Sequence, residues 1–355
     1  MFNDTRLTEL LGTELPIIQA PMAGAQGSAM AAAAAEAGGL GSLPCAMLDT
    51  ARMRAEMGVI RQRTQKPVNM NFFCHTPAAP APEAQRRWRT VLKPYYEEHG
   101  LDADADTPAP NRAPFDTVAC EIVEELRPQV VSFHFGLPEK ALLDRVRATG
   151  AKIISSATTA AEARWLAERG CDAIIAQGAE AGGHRGVFLD IDISRQPGTF
   201  ALVPQVVDAV DVPVIAAGGI TDARGIAAAF MLGAAGVQIG TAFLFTPEAT
   251  ISDLHRAALD EAADDGTALT NIFSGRPARG LMNRVMREHG PMSPDAPPFP
   301  TAGGALVPLK AAAEKQGKAD FSSLWAGQAA ALGRKMETGE LMRMLADQAA
   351  ALLKA

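Results

Sequence analysis

Short β-branched apolar runs alternate with Ala-rich helical stretches through the first two thirds of the chain. Runs at 16–20, 39–43, 67–73, 130–133, 152–155, 172–176, 212–216 and 236–239 read as eight strands. Helical segments at 28–37, 50–63, 117–126, 139–149, 159–169 and 222–232 lie between them, most opened by a Ser, Thr or Asp suited to capping the first turn. Strand and helix in alternation build a parallel sheet covered by helices. The pattern therefore predicts the α/β class and a (β/α)8 TIM barrel, with an open doubly wound sheet as the alternative.

Two stretches interrupt the rhythm. The first, about 76–114, contains Pro77, Pro80, Pro82, Pro94, Pro108, Pro110 and Pro114 together with Tyr95 and Tyr96. Prolines at that density are expected to exclude regular elements, so this stretch reads as an irregular insertion after the third strand. On a barrel it would lie on the active-site side, as a lid or as a tolerated surface insertion. The second, about 290–308, is again rich in Pro and Gly. The domain expectation is a barrel over 1–270 and a C-terminal helical extension over 271–355. Leu324, Trp325, Leu341, Met344 and Leu345 are the expected packing residues of that extension.

Composition narrows the function classes. With 355 residues, 48% hydrophobic and 21% charged, the chain can bury a large core. Its 33 basic and 40 acidic residues give a net charge of −7, which argues against a nucleic-acid partner. No apolar run approaches the roughly 18 residues of a membrane span, and the first residues hold no apolar leader, so a cytoplasmic protein without a membrane partner is expected. The pattern leaves the oligomeric state open. Cys45, Cys74, Cys120 and Cys171 stand far apart and read as small core residues, and no metal site is expected.

The clearest chemical signal is a pair of glycine-containing strand ends. Gly218 and Gly219 follow the seventh strand, and Gln238-Ile239-Gly240-Thr241 ends the eighth. Glycines there let backbone N–H groups approach an anion, and the loops after strands seven and eight are the usual phosphate site of a barrel. A dinucleotide fingerprint of the G-x-G-x-x-G type is absent. The loop after the sixth strand, from Gln177 through Gly182, Gly183 and His184, places one imidazole at the same end. Histidine suits proton transfer near neutral pH, although a lone loop histidine is more often a surface residue. His134 and His75 end neighbouring strands and compete for the role, whereas His99, His255 and His289 look solvated. Glu180 could orient the imidazole or face solvent. No nucleophile elbow appears, so hydrolase chemistry is unsupported.

Five segments, 16–24, 69–73, 131–138, 181–184 and 216–220, together with 320–328, resemble the nitronate monooxygenases, formerly called 2-nitropropane dioxygenases, in their class I bacterial branch. The resemblance implies a TIM barrel that holds FMN non-covalently and uses O2 to oxidise alkyl nitronates to a carbonyl compound and nitrite. On that resemblance Met22 would lie against the isoalloxazine and Asn69 or Asn71 would contact the ring or ribityl chain. Gln177, Gly182 and Gly183 would hold the flavin, and Gly218, Gly219, Gln238, Ile239, Gly240 and Thr241 would surround its phosphate. His184 matches the family's catalytic histidine, as base or nitronate-binding group, with His134 and Phe299 in the substrate pocket. The family pattern of tyrosines and a lysine before the C-terminal helices is replaced by Phe299, Gly303 and Val307, which points to neutral-tailed nitronates. The rival readings are an FMN-dependent enoyl reductase using NAD(P)H, a flavin-free phosphate-binding lyase or isomerase, and a non-catalytic FMN-binding protein.

Overall fold

A computed structural model describes residues 2–77, 79–105, 112–190 and 192–354. Its strands are β1 (Ile17–Gln19), β2 (Gly41–Pro44), β3 (Val68–Phe73), β4 (Val130–His134), β5 (Lys152–Ala157), β6 (Ala173–Gln177), β7 (Gly183–His184), β8 (Val214–Ala217), β9 (Gly236–Ile239), β10 (Thr267–Thr270) and β11 (Ala278–Leu281). Eight of them form one parallel sheet in the order β1-β9-β8-β6-β5-β4-β3-β2. The ring closes where Gln19 N donates to Leu40 O at 2.9 Å and Leu40 N donates to Ile17 O at 3.0 Å. This is the (β/α)8 barrel, and closure rules out the open sheet.

Period-two alternation sorts the strand residues into two faces. Ile17, Val68, Met70, Val131, Ile153, Ile174 and Val237 pack outward against the helices. Ile18, Leu40, Val130, Ile154, Ile175 and Ile215 pack inward, and Leu7 and Leu11 of the short helix Arg6–Leu11 plug the barrel floor. Two residues beyond Leu40, Val130, Ile154 and Ile175 the inward positions are Ser42, Ser132, Ser156 and Gln177, and β3 adds Asn69 and Asn71. Asn71 Nδ2 donates to Ser132 Oγ across β3 and β4 at 2.9 Å, and Asn69 Nδ2 donates to Ser42 Oγ at 3.0 Å. These polar side chains lie toward the C-terminal end of the strands, the end at which barrel active sites are built.

The predicted helices at 28–37, 50–63, 117–126, 139–149, 159–169 and 222–232 all form, within one residue of the expected bounds. The proline-rich insertion is a different matter. It contains the helix Pro82–Glu98, with Pro82 in the first turn, where its missing N–H has no intrahelical partner to lose, and Pro94 inside. Burial offsets the broken hydrogen bond, because Trp88, Leu92, Tyr95 and Tyr96 fill a second core with Ile272, Met286, Leu309 and Phe321. Trp88 Nε1 donates to Ala302 O at 3.0 Å and Tyr96 Oη to Ala305 O at 2.6 Å, which fastens the helix to the C-terminal region. Pro108 and Pro110 lie outside the described residues.

After β9 the chain does not simply turn into helices. β10, β11 and β7 form a three-stranded antiparallel sheet, an element the sequence pattern did not announce. The last helix, Thr338–Leu352, returns to the barrel wall between the helices Ser28–Glu36 and Ala223–Met231. Leu324, Leu341 and Leu345 are buried as expected, but Met342 rather than Met344 takes the fully buried place on that helix. Cys45, Cys120 and Cys171 are buried and Cys74 is half-buried, all four as free thiols.

Candidate active site

His184 reaches the barrel mouth on β7, which pairs with β11 through His184 and Ala278. Two side chains and one glycine set its backbone. The Gln177 amide spans the loop, with Nε2 donating to His184 O at 3.0 Å and Oε1 accepting from Gly186 N at 2.7 Å. Arg185 is fully buried and donates to the carbonyls of Gly178 and Gly183, each at 3.0 Å, and to those of Ala181 and Gly182. Its charge is thus solvated by the loop's own backbone. Gly182 is needed for a close approach, since a Cβ there would stand 2.7 Å from the backbone of Ala326 and Gly327.

The imidazole itself meets Ser274, with Nε2 2.9 Å from Oγ. That hydroxyl also lies 3.1 Å from the carbonyl of Arg276, which can only accept. Giving the single hydroxyl proton to the carbonyl makes His184 Nε2 the donor and leaves the Nδ1 lone pair bare. Around the ring stand Phe73, Phe135, Phe299 and Trp325, with centroids at 6.2, 6.0, 5.6 and 5.6 Å. His134 shares this pocket, its Nδ1 2.6 Å from Ser156 Oγ and its ring 4.4 Å from that of Phe135. His75 is buried on the far side of Phe299, with ring centroids 4.8 Å apart.

Electrostatics keep these imidazoles uncharged. Burial pushes His184 well below its ordinary range, and Arg112, His134 and Arg276 add to the effect. His134 falls to about 3 through burial and the positive charges of Arg276 and Arg185. A neutral imidazole with an unpartnered nitrogen can accept a proton from a substrate carbon, and two neutral rings can donate or accept hydrogen bonds to an anion.

The two glycine loops lie at the same mouth. Gly218 and Gly219 have φ of 114° and 68°, values that disfavour any side chain, and so turn β8 sharply into its helix. Gly240 stands beside Met22, whose Sδ is 3.6 Å from the position a Cβ on Gly240 would take. Glu180 is half-buried and does not orient His184. Its carboxylate accepts from Thr199 N at 2.8 Å and from Thr199 Oγ1 at 2.8 Å, capping the helix Thr199–Val207. Asn69 Oδ1 and Gln238 Oε1 are buried within this interior without a protein partner. Buried acceptors of that kind call for a donor, which a polar ligand over β3 and β9 would supply.

Residues 4–348 match the family model described as nitronate monooxygenase. The chain belongs to the nitronate monooxygenase family. It is 42% identical over 349 residues to a nitronate monooxygenase of Pseudomonas aeruginosa, covering 97% of this chain and 98% of the relative. The solved nitroalkane oxidase of Streptomyces ansochromogenes superposes with a TM-score of 0.89 at 38% identity, over 98% of each chain. An enoyl reductase domain from the macrolactin biosynthesis cluster of Bacillus amyloliquefaciens has a TM-score of 0.64 at 13% identity, over 100% of this chain and 98% of that one. That last likeness concerns the fold alone.

Of the residues expected at the site from the sequence, the structure brings His184, His134 and Phe299 into one pocket and places Met22, Asn69, Asn71, Gly218, Gly219, Gln238 and Gly240 on or just after the barrel strands. Ile239 points outward into the core and its backbone pairs with β1, so it offers a ligand neither side chain nor backbone. Thr241 Oγ1 accepts from Gly327 N at 2.9 Å. Of Phe299, Gly303 and Val307, Phe299 alone lines the pocket. Gly303 backs onto the Phe273 carbonyl, and Val307 is 46% exposed. His255 is buried rather than solvated, because it packs inward from the helix Asp253–Asp260. Ser274, Arg185 and Arg276 escaped the sequence reading, since isolated polar residues in irregular segments carry no periodic signal.

Proposed function

We propose that this chain oxidises alkyl nitronates with O2, giving a carbonyl compound and nitrite, with FMN held non-covalently at the barrel mouth. The observation that carries the reading is the neutral His184 imidazole, fixed through Nε2 with Nδ1 bare, in an aromatic pocket above two glycine loops. The glycine turns at Gly218, Gly219 and Gly240 would take one phosphate, with the backbone N–H of Thr241 beside it. Asn69 and Gln238 would meet the polar edge of the ring system and satisfy their orphaned acceptors, and Met22 would lie against its face. Gly182 and Gly183 allow the loop to pass close by, and Asn71 and Gln177 hold the strand ends and the loop that frame the ring. When bound, a flavin held by these residues would supply the redox chemistry between substrate and O2.

The chain's own residues bind and orient. Phe73, Phe135, Phe299 and Trp325 exclude water from the alkyl part of the substrate, while His134 and His184 face the nitronate oxygens or the α-carbon. With a neutral nitroalkane, Nδ1 of His184 would take the α-proton; a pre-formed nitronate needs only the hydrogen bond. Among the described residues no helix is long and apolar enough to cross a membrane, which agrees with a small-molecule enzyme working in the cytoplasm.

The test is release and chromatography of the flavin, followed by an oxygen-electrode screen with nitronates of different size and charge. FMN in the extract, and oxygen uptake with nitrite release in the absence of NAD(P)H, are expected. FAD in the extract would overturn the cofactor assignment. NAD(P)H oxidation that depends on an enoyl thioester would replace the monooxygenase with the reductase, and flavin without turnover would leave a binding protein.

A further inference from the structure

The pocket around His184 holds a positive charge that no carboxylate answers. Arg276 lies on the turn that also supplies Ser274, and its Cζ sits 4.0 Å above the Phe135 ring. One Nη donates to the carbonyl of Val187, while the buried Nε has no protein partner. Among the described residues no acidic group lies within ion-pair distance of it. Glu162, the acid whose charge reaches it, accepts instead from the backbone N–H of Phe188 and the backbone and side chain of Thr158. A guanidinium has five donors, so most of this one's capacity is unfilled inside a desolvated site.

The platform beneath it is unusual. Phe135 has φ of 71°, a left-handed conformation that a bulky side chain avoids. Strain of this kind persists where surrounding structure enforces it, and it gathers at functional positions. Here it sends the Phe135 ring between Arg276 on one side and the rings of His134, His184 and His75 on the others. A cation held on an aromatic face keeps its charge while losing water, which strengthens its attraction for an anion.

We propose that Arg276, seated on Phe135, draws the anionic head of the substrate into the pocket and holds one of its oxygens on the side of His134 and His184. This rests on the nitronate reading above for the identity of the anion, but not for the existence of the anion site. The groups that face the site are His134 from β4, His184 from β7, His75 just after β3, Arg112 from the insertion, and Glu162 and Arg185 behind the loop. Arg276 and Arg112 both raise the free energy of a charged imidazole there, so an arriving anion meets neutral rings and an unpaired cation.

The experiment titrates nitrate, a planar anion with the O–N–O geometry of a nitronate head, into the flavin-loaded protein by calorimetry. Arg276→Met is expected to weaken nitrate binding by about tenfold or more, and Arg276→Lys to recover most of it, because the field depends on charge. Phe135→Leu, which keeps the charge and removes the platform, should fall between them. In turnover, Arg276→Met should raise KM for nitronates more than it lowers kcat, and should move the acid limb of kcat/KM to higher pH, since one fewer cation opposes protonation of the imidazoles. Nitrate binding within about twofold of the original protein in Arg276→Met would overturn the proposal. Equal damage in the Lys and Met variants would overturn it too, assigning Arg276 to packing and the Val187 contact. If nitrate binds through Arg276 but no nitronate is turned over, the substrate reading fails and the anion site stands.

Discussion

The imidazole Nε2 of His184 lies 2.9 Å from the hydroxyl of Ser274, ninety positions away in sequence. The contact joins the loop after β6 to the turn between β10 and β11, and it is what decides which ring nitrogen is bare. Ser274→Ala removes the acceptor for Nε2–H and frees both tautomers and the ring's rotation. Loss of such an orienting partner typically costs about tenfold to a hundredfold. We expect kcat/KM on neutral nitroalkanes to drop by about that factor with FMN retained, and Ser274→Thr to restore most of it. A Ser274→Ala enzyme within about twofold of the original would show that the ring is held by its aromatic neighbours alone.

Phe299 sets the apolar side of the pocket, 5.6 Å from His184 and 4.8 Å from His75 between ring centroids. Each methylene of a substrate tail that reaches this wall is worth about 0.8 kcal/mol, or roughly a factor of four. Along a series of nitronates from nitroethane to nitrobutane, kcat/KM should therefore climb, and Phe299→Ala should flatten the climb. A series equally steep in Phe299→Ala would move the tail to another part of the pocket.

Much of the barrel was legible in the sequence because its signals are local. Eight apolar runs, the glycine turns at Gly218 and Gly219 and the capping residues Asp49, Asp116, Thr159 and Asp222 act within a few residues of where they stand. The helix Pro82–Glu98 was hidden by its prolines, since its stability comes from Trp88, Leu92 and Tyr96 packing against residues some two hundred positions later. His184 was visible from its glycine loop and family resemblance. Its partner Ser274, the buried Arg185 and the unpaired Arg276 were not, because each acquires meaning only when β7 pairs with β11.

Buried neutral histidines make stability depend on pH. His75 and His255 are each lowered to about 4, chiefly by burial. Above the ordinary value near 6.5, both states are neutral and nothing is lost. Below it the unfolded chain takes up protons that the folded chain refuses, so stability falls with pH down to about 4. Each group contributes a slope of about 1.4 kcal/mol per pH unit in that window. Urea unfolding at pH 7 and pH 5 should show the loss, and His255→Gln should lessen the slope by about one proton's worth. An unchanged slope in that variant would mean that His255 protonates in the folded state.

His184 and His134 stand in one pocket, and the choice between them as base rests on their free nitrogens. His134 has Nδ1 on Ser156 and a further hydrogen bond to the backbone of His184, whereas His184 presents Nδ1 without a partner after its Nε2 is taken by Ser274. A neutral nitroalkane must lose its α-proton before oxidation, and a positioned base contributes about 10² to 10⁴ to that step. A nitronate has already lost it. His184→Asn should therefore keep FMN, lose activity on neutral nitroalkanes by about that factor, and retain much more of its turnover of pre-formed nitronates. His134→Asn should affect both substrate forms similarly, through hydrogen bonding to the anion. Equal loss on both forms in His184→Asn would make it a binding group, and selective loss in His134→Asn would transfer the base to β4.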